Sequence, residues 1–200
     1  MNIQNPKFSP LQNPKFAPLR FVKEKELFCE YLNKVPKNLK YLEIGIFRGG
    51  SLCLALLNSD LKMYTGIDTF NVEHLDKLSK SMGFKKHPIL ICMRNILNVY
   101  SRTDFKKAGK VNIYPCKSKY IDKSVAKGTG FLFIDGNHSY EGVMNDAKLI
   151  KYVSKACYIA FHDYGMPSAP GVEKAVTELV EAGKIKIIDS ADRLVICKRV

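Results

Sequence analysis

The chain has 200 residues and a formal net charge of +13 at pH 7, a length that suits one domain with a sheet covered on both faces. No apolar run approaches the length of a membrane span, and the N-terminus lacks the apolar segment of a signal peptide. A soluble, cytoplasmic protein without membrane contact is therefore expected. The basic excess comes mainly from scattered lysines with no interleaved aromatic motif, which favours a solvated surface over a nucleic-acid groove.

The six cysteines are widely spaced and mostly lie in apolar runs. No pair has the Cys-x-x-Cys spacing of zinc or redox sites, so the pattern predicts reduced thiols in the core rather than a disulfide framework. The cysteines are Cys29, Cys53, Cys92, Cys116, Cys157 and Cys197.

Residues 5–20 contain an imperfect repeat with a period of eight, "NPKFSPLQ" followed by "NPKFAPLR". Two copies are too few for a repeat fold, and the four prolines exclude a helix. We predict an extended arm over residues 1–20 and a single domain over residues 21–200. The arm suits docking on the domain or on a partner, including a second copy of the chain; an undocked tail explains the pattern equally well. Its apolar side chains are Phe8, Leu11, Phe16 and Leu19.

Apolar runs and turn residues divide the remaining chain into alternating strands and helices. Buried strands are predicted at 41–47, 62–68, 111–115, 129–135 and 157–161. The spacing of apolar residues predicts helices at 21–34, 51–59, 140–153 and from residue 172 onward.

Two further patterns complete the predicted fold. Residues 72–109 are mostly helical in pattern, with a break near residues 83–88, and strands at 184–189 and 193–198 close the chain. Because the inner strands are apolar throughout and alternate with helices, they predict a mostly parallel sheet covered on both faces. The closing pair predicts an antiparallel strand at one edge. The fold class is therefore a three-layer α/β domain.

The first predicted strand runs into a glycine-rich loop, "EIGIFRGGS", at residues 43–51. Ligands of such sheets bind outside the carboxyl ends of the strands, where glycines let the backbone approach closely. The loop lacks the G-x-G-x-x-G spacing of a dinucleotide site. The second strand ends at Asp68, whose carboxylate is suited to accept hydrogen bonds from both hydroxyls of a ribose. Together they predict a nucleoside ligand with no pyrophosphate requirement.

The fourth and fifth predicted strands both end in aspartate and histidine. "FIDGNHSYEG" at 133–142 presents Asp135 and His138, and "YIAFHDYG" at 158–165 presents His162 and Asp163. Neighbouring strands lie about 4.8 Å apart, so we expect the two aspartates to be close. Close carboxylates repel each other unless a proton or cation lies between them, and Mg²⁺ suits such a site.

The chain resembles the class I S-adenosylmethionine-dependent methyltransferases. It is most similar to the group containing antibiotic-sugar and macrolide O-methyltransferases and cephalosporin-hydroxylase-like proteins. The resemblance spans roughly residues 38–200 and implies a Rossmann-like sheet of about seven strands, in which "RLVICK" is the antiparallel one. The segments that carry it are "LEIGIFRGGSL", "GIDTF", "FIDGNHSYEGVMNDAKL" and "FHDYGMPSAPGVEKAV".

The resemblance also implies roles for individual residues. Ser118 would lie against the adenine ring, although Cys116 and Lys117 stand where the family commonly has Gly-Asp. Asp68 would bind the ribose, and Asp135 is a candidate for both cofactor and metal contact. The methionine portion would be lined by Glu43, Gly45 and Gly49. The implied metal ligands are Asp135, His162 and Asp163.

His138 has two interpretations. Because a neutral hydroxyl is a poor nucleophile, methyl transfer benefits from a base that removes its proton, and histidine titrates near neutrality. The other interpretation is that Asn137 and His138 cap the helix beginning near Tyr140 through local hydrogen bonds. The base interpretation is favoured, with Asp135 as its catalytic neighbour.

These features predict O-methylation of a small hydroxylated molecule such as a sugar, with S-adenosylmethionine as cofactor and Mg²⁺ assisting. One alternative is a nucleic-acid methyltransferase, which only the net charge suggests, since residues 128–147 contain no lysine. Another alternative is a non-catalytic cofactor-binding or assembly module that uses the N-terminal arm.

Overall fold

The computed structural model describes residue 19 and residues 21–70, 88–101 and 109–200. Residues 1–18 of the predicted arm, and much of the predicted helical segment between 72 and 109, lie outside the described residues. Over the described part of the chain, no helix combines the length and apolar character needed to cross a membrane.

A seven-stranded sheet forms the centre of the molecule, in the spatial order β3-β2-β1-β4-β5-β7-β6. The strands are β1 Lys40–Ile44, β2 Met63–Ile67, β3 Lys110–Tyr114, β4 Thr129–Ile134, β5 Tyr158–Phe161, β6 Ile185–Ala191 and β7 Leu194–Arg199. The sequence-based prediction of a seven-stranded, mostly parallel α/β sheet is confirmed. Strand order reverses at β1, which lies between β2 and β4.

The strand that runs against the others is β7, which pairs antiparallel with both β5 and β6. The resemblance-based expectation for "RLVICK" is therefore confirmed, but the prediction that the antiparallel strand lies at an edge is wrong. After the helix that precedes β6, the chain passes the position next to β5 and forms β6 one strand farther out. β7 then folds back into the position between β5 and β6. As a result β6 forms the edge.

Helices cover both faces of the sheet. They are α1 Val22–Asn33, α2 Gly50–Asn58, α3 Pro88–Tyr100, α4 Tyr140–Asp146 and α5 Pro170–Glu181. Short 3₁₀ segments occupy Ser118–Tyr120, Lys123–Ala126 and Ala147–Lys151. The last of these replaces the second half of the helix predicted at 140–153, and its tighter winding places Leu149 and Ile150 in the core together.

Alternate residues of the central strands supply two hydrophobic clusters, one on each face. Phe131 and Phe133 of β4 pack beneath α1, where both rings meet Phe28 edge-on at centroid distances of 5.2 and 5.4 Å. Leu132 and Ile134 of the same strand join the cluster beneath α4 and α5. This alternation makes the domain three-layered.

All six cysteines are unpaired thiols, as predicted, and four of them are buried. Leu19, the one residue of the predicted arm that the structure describes, is buried in the cluster beneath α1.

Gly45, directly after β1, brings the first loop against the end of β4. Its φ of +91° is in the left-handed region, and a Cβ on it would lie 2.0 Å from the carbonyl oxygen of Asp135. The backbones are joined on both sides, since Asp135 N–H donates to the Ile44 carbonyl and Gly45 N–H to that of Ile67, both at 2.8 Å. The glycine-rich loop and Asp135 therefore form one continuous surface.

We expect Gly45→Ala to lower the free energy of unfolding by more than about 2 kcal/mol, because it adds a backbone clash to the strain of a positive φ. Gly128→Ala is the matched control, since φ there is +73° and nothing lies within 4 Å of an added Cβ. The control should lose about 1 kcal/mol from conformation alone. Urea denaturation of both variants measures the difference, and equal losses would show that the close approach contributes nothing.

Candidate active site

The candidate site lies at the carboxyl ends of β4 and β5, next to the end of β1. The hydrogen bonding of these strands continues one residue past each end, since His162 N–H donates to the Ile134 carbonyl at 3.1 Å. Asp135 and His162 therefore emerge side by side. As the sequence predicted, the ends of the two strands meet.

Asp135 is held between two imidazoles. Its Oδ1 lies 3.1 Å from Nδ1 of His162 and 3.4 Å from Nε2 of His138. Burial acts to raise the pKa of this carboxyl, but the two histidines outweigh burial and lower it to about 2. Asp135 is therefore ionised at neutral pH.

Asp163 approaches the same space from β5. Its backbone has a φ of +57°, which is uncommon for a residue other than glycine. Its Oδ1 accepts a hydrogen bond from Nη1 of Arg193 at 3.0 Å, and its Oδ2 lies 3.5 Å from Nε2 of His138. Although burial acts to raise the pKa of Asp163, His162 and His138 bring it below its usual value.

His138 is the most exposed member of the group, with 42% of its side chain accessible. Its pKa is raised above the usual value, chiefly by the hydrogen bond to Asp135. Of the two residues that the alternative interpretation assigned to the helix cap, Asn137 takes part in the local hydrogen bonds, and Ser139 supplies the cap itself. Ser139 Oγ accepts from Gly142 N–H at 3.1 Å, and Asn137 Oδ1 accepts from Ser139 N–H at 2.9 Å. The imidazole of His138 faces the carboxylates instead.

Three of these side chains lie close enough together to hold a cation between them. One ligand atom each from Asp135, His138 and Asp163 lies within 4.8 Å of the others. Carboxylates suit Mg²⁺ and Mn²⁺, and an imidazole adds affinity for transition metals. The set fits a divalent cation, and the two aspartates were predicted as ligands.

His162, also predicted as a metal ligand, lies in a different environment. It is 3% exposed, with Nδ1 directed at Asp135 and Nε2 lying 3.7 Å from Oε2 of Glu24, which is too long for a hydrogen bond. Burial acts to lower the pKa of His162, but these carboxylates and Asp163 raise it well above the ordinary value. Both ring nitrogens therefore face acidic side chains beneath the donor set.

The sequence reasoning did not find Glu24 and Arg193. Glu24 is fully buried, and its Oε1 accepts a hydrogen bond from Nε of Arg193 at 3.0 Å. A signal was present in the sequence, because Glu24 shares the apolar face of its helix with Leu27, Phe28 and Tyr31. An acidic residue on such a face requires a buried partner.

Asp68, the predicted ribose ligand, holds two loops together. Its Oδ2 accepts from Phe47 N–H at 2.7 Å and its Oδ1 from Phe70 N–H at 2.6 Å. Both phenylalanines have positive φ, +45° and +51°. Burial raises the pKa of Asp68 above its usual value. Each carboxylate oxygen keeps a second lone pair for a ligand hydroxyl.

Glu43, predicted beside the methionine portion, is fully buried beneath the glycine-rich loop. It accepts hydrogen bonds from the Tyr41 hydroxyl at 2.7 Å and from the Ser51 hydroxyl. Burial raises the pKa of Glu43 to about 8. It therefore ties β1 to the first turn of α2, and the loop surface above it is formed by Gly45 and Gly49, the residue preceding α2.

Ser118, predicted beside the adenine, lies in the 3₁₀ segment after β3 and is bonded to α4. Its hydroxyl donates to Asp146 and accepts from Nδ2 of Asn145 at 3.1 Å. Asp146 is 5% exposed, and burial raises its pKa to about 6. Ser118 is thus fixed to α4, and it follows β3, which pairs with β2, the strand that ends next to Asp68.

The ionic contact between Asp135 and His162 predicts a bell-shaped dependence of stability on pH for the metal-free protein. The lowered pKa of Asp135 gives stability that is present above its ordinary value of 3.8 and is lost as pH falls through about 2. The raised pKa of His162 gives stability that is present below 6.5 and is lost as pH rises through that raised value. Stability should therefore be highest between about pH 4 and 6.5.

In chelator, Asp135→Asn should lose about 2 kcal/mol of unfolding free energy near pH 5 and should flatten both limbs. Asp60→Asn is the control, because Asp60 pairs with Lys37 where both side chains are more than 70% exposed. Denaturant titrations across pH measure the profile. A variant with the wild-type profile would show that this contact does not set it.

A protein-family model described as "Methyltransferase domain" matches residues 42–164. The uncharacterized protein R132 of Acanthamoeba polyphaga mimivirus is 35% identical to this chain over 153 residues. The match covers 74% of this chain and 63% of R132, so the chain spans less than two thirds of that relative's length.

Solved structures of methyltransferases share the fold. The O-methyltransferase NovP matches 89% of this chain and 80% of its own, with a TM-score of 0.62 and 19% identity. CalS11, a TDP-rhamnose 3′-O-methyltransferase of calicheamicin biosynthesis, matches 88% of this chain and 77% of its own, with a TM-score of 0.60 and 14% identity. An rRNA methylase from Streptococcus thermophilus matches 89% of this chain and 95% of its own, with a TM-score of 0.57 and 8% identity. The family match, with the strand order and the site at the switch point, shows that the chain belongs to the methyltransferase domain family.

Proposed function

We propose that the protein is an S-adenosylmethionine-dependent O-methyltransferase that acts on a small hydroxylated molecule such as a sugar, assisted by a divalent cation. One observation carries the proposal. The cluster of Asp135, His138 and Asp163 lies directly against the glycine-rich loop, because Gly45 meets the backbone of Asp135. A methyl donor bound on that loop would lie beside a base and a cation site.

The residues around the loop suit S-adenosylmethionine, which supplies an electrophilic methyl group when bound. Asp68 would accept the ribose hydroxyls with its remaining lone pairs, while its bonds to Phe47 and Phe70 keep the carboxylate in place. Gly45 and Gly49 present backbone to the methionine portion. Ser118 would lie near the adenine.

His138 suits the role of general base. It is the exposed member of the cluster, so an acceptor entering from solvent meets its imidazole first. The carboxylates of Asp135 and Asp163 hold its Nε2 from two sides and favour uptake of a proton from the acceptor hydroxyl. A divalent cation held by the two aspartates would stabilise the alkoxide that forms.

The charge around the cluster favours a small acceptor over a nucleic acid. Residues 128–147, which contain Asp135 and His138, include no lysine or arginine to follow the many phosphates of a nucleic-acid backbone. CalS11 acts on a sugar nucleotide and has the same fold, which makes TDP-rhamnose a suitable first test acceptor. The S. thermophilus rRNA methylase shares the fold as well, so RNA is the competing acceptor to include.

Calorimetry with S-adenosylhomocysteine, the demethylated product, tests the cofactor site. Asp68→Ala should weaken binding by about 1.5–3 kcal/mol, the value of a hydrogen bond to a charged group. Asp122→Ala is the matched control, because Asp122 also accepts a hydrogen bond from a backbone N–H, that of Ser124 at 2.7 Å, and caps a 3₁₀ segment outside the glycine-rich loop. Folded wild-type protein that binds neither form of the cofactor would refute the proposed function.

The base assignment is tested with His138→Ala. The rate of methyl transfer in single turnover should fall about 10²–10⁴-fold, while affinity for S-adenosylhomocysteine stays near wild type. Ser139→Ala removes the adjacent helix cap, so it should cost about 0.5–2 kcal/mol of stability and leave the rate largely intact. A near-normal rate in folded His138→Ala would reject the base. A loss of Mn²⁺ affinity in step with the rate would make His138 a metal ligand.

A further inference from the structure

The two aspartates of the site are connected beneath the surface to a third carboxylate, that of Glu24. It lies in the first turn of α1, is fully buried, and comes from outside residues 42–164, which the family model matches. A buried carboxylate is costly without partners, so its contacts explain its presence there.

The first connection runs through Arg193, in the turn between β6 and β7. Its Nε donates to Glu24 Oε1 and its Nη1 to Asp163 Oδ1, both at 3.0 Å. Its carbonyl also accepts from Tyr164 N–H at 3.0 Å. Because a guanidinium is planar and rigid, this fork fixes Asp163 relative to Glu24. Asp163 has a positive φ, a conformation that persists only when neighbouring groups support it.

The second connection runs through His162. Its Nδ1 lies 3.1 Å from Oδ1 of Asp135, and its Nε2 lies 3.7 Å from Oε2 of Glu24. The ring is 3% exposed and meets Phe133 at a centroid distance of 6.1 Å, so its plane is fixed by packing. Glu24 thus faces one side of the ring while Asp135 binds the other.

We propose that Glu24 is a positioning residue of the active site, which acts through Arg193 and His162 to set the separation of Asp163 and Asp135. The inference rests on the proposed function, since the carboxylates matter as the holders of a cation and of the base. Without the Glu24 carboxylate, Arg193 would keep, among the described carboxylates, only Asp163 as its partner, and the positive charges of Arg193 and His162 would be neutralised by the two aspartates of the site. Those aspartates would then be less available to a cation.

A purely structural role for Glu24 makes a different prediction. Its Oε2 also accepts from Phe21 N–H at 3.4 Å, which is a helix-capping contact. Loss of a cap lowers stability but leaves the spacing of the site unchanged. Affinity for a cation therefore separates the two roles, because a cap does not influence it.

The test compares Glu24→Gln with Glu26→Gln, which removes the same charge from an exposed position of the same helix. Calorimetry measures binding of Mn²⁺ and, separately, of S-adenosylhomocysteine, and thermal unfolding reports stability. We expect Glu24→Gln to weaken Mn²⁺ binding about 10–100-fold, the usual effect of removing a residue that orients metal ligands. Affinity for S-adenosylhomocysteine should stay within about twofold, and Glu26→Gln should change neither.

Arg193→Lys is the second variant, and it decides the question if Glu24→Gln does not fold. It keeps the charge but cannot bridge two carboxylates as a guanidinium does, so Mn²⁺ binding should weaken similarly.

Lower stability with unchanged Mn²⁺ affinity in folded variants would overturn the positioning role and leave the proposed function standing. Wild-type protein that binds S-adenosylhomocysteine but no Mn²⁺ would overturn both the positioning role and the proposed cation site. Protein that binds neither would refute the proposed function itself.

Discussion

Electrostatic repulsion between Asp135 and Asp163 is the constraint on which the rest of the site depends. Parallel pairing of β4 and β5 brings the two carboxylates together, and both are largely withdrawn from water. Removing one partner from a buried ion pair commonly costs about 3–5 kcal/mol, so such carboxylates need cations near them. His162 and Arg193 supply that charge from below, and His138 supplies a titratable group from the solvent side. The solvent side is where the proposed cation and acceptor would bind.

The same topology connects this cluster to the glycine-rich loop. Strand order reverses at β1, and a ligand site forms where the loops on the two sides of the reversal separate. Asp68 on one side bonds the loop after β1, while Gly45 lets that loop lie on the backbone of Asp135 on the other. The glycine-rich loop therefore joins the proposed nucleoside site to the cluster at which the proposed chemistry would take place.

The elements at the two ends of the described chain stabilise the site from beneath. Helix α1 contributes Glu24, and the β6–β7 turn contributes Arg193, with β7 inserted between β5 and the edge strand. Arg193 directly precedes β7, so this insertion places it beside Asp163; with β7 at the edge of the sheet, Arg193 would lie one strand farther away. The antiparallel strand thus has a consequence for the chemistry as well as for the sheet.

The alternation of strands and helices and the meeting of Asp135 with Asp163 could be predicted from the residues, because apolar periodicity and strand ends are local signals. The seven-stranded sheet was implied by the family resemblance. Three features emerge only from the folded arrangement: β7 lies inside the sheet, Ser139 rather than His138 caps α4, and His162 faces Glu24. These outcomes depend on contacts between strands and side chains that are far apart in the sequence or that could bond to the same backbone groups. Residues 169 positions apart, such as Glu24 and Arg193, leave no joint pattern along the chain, and burial alone makes their pairing necessary.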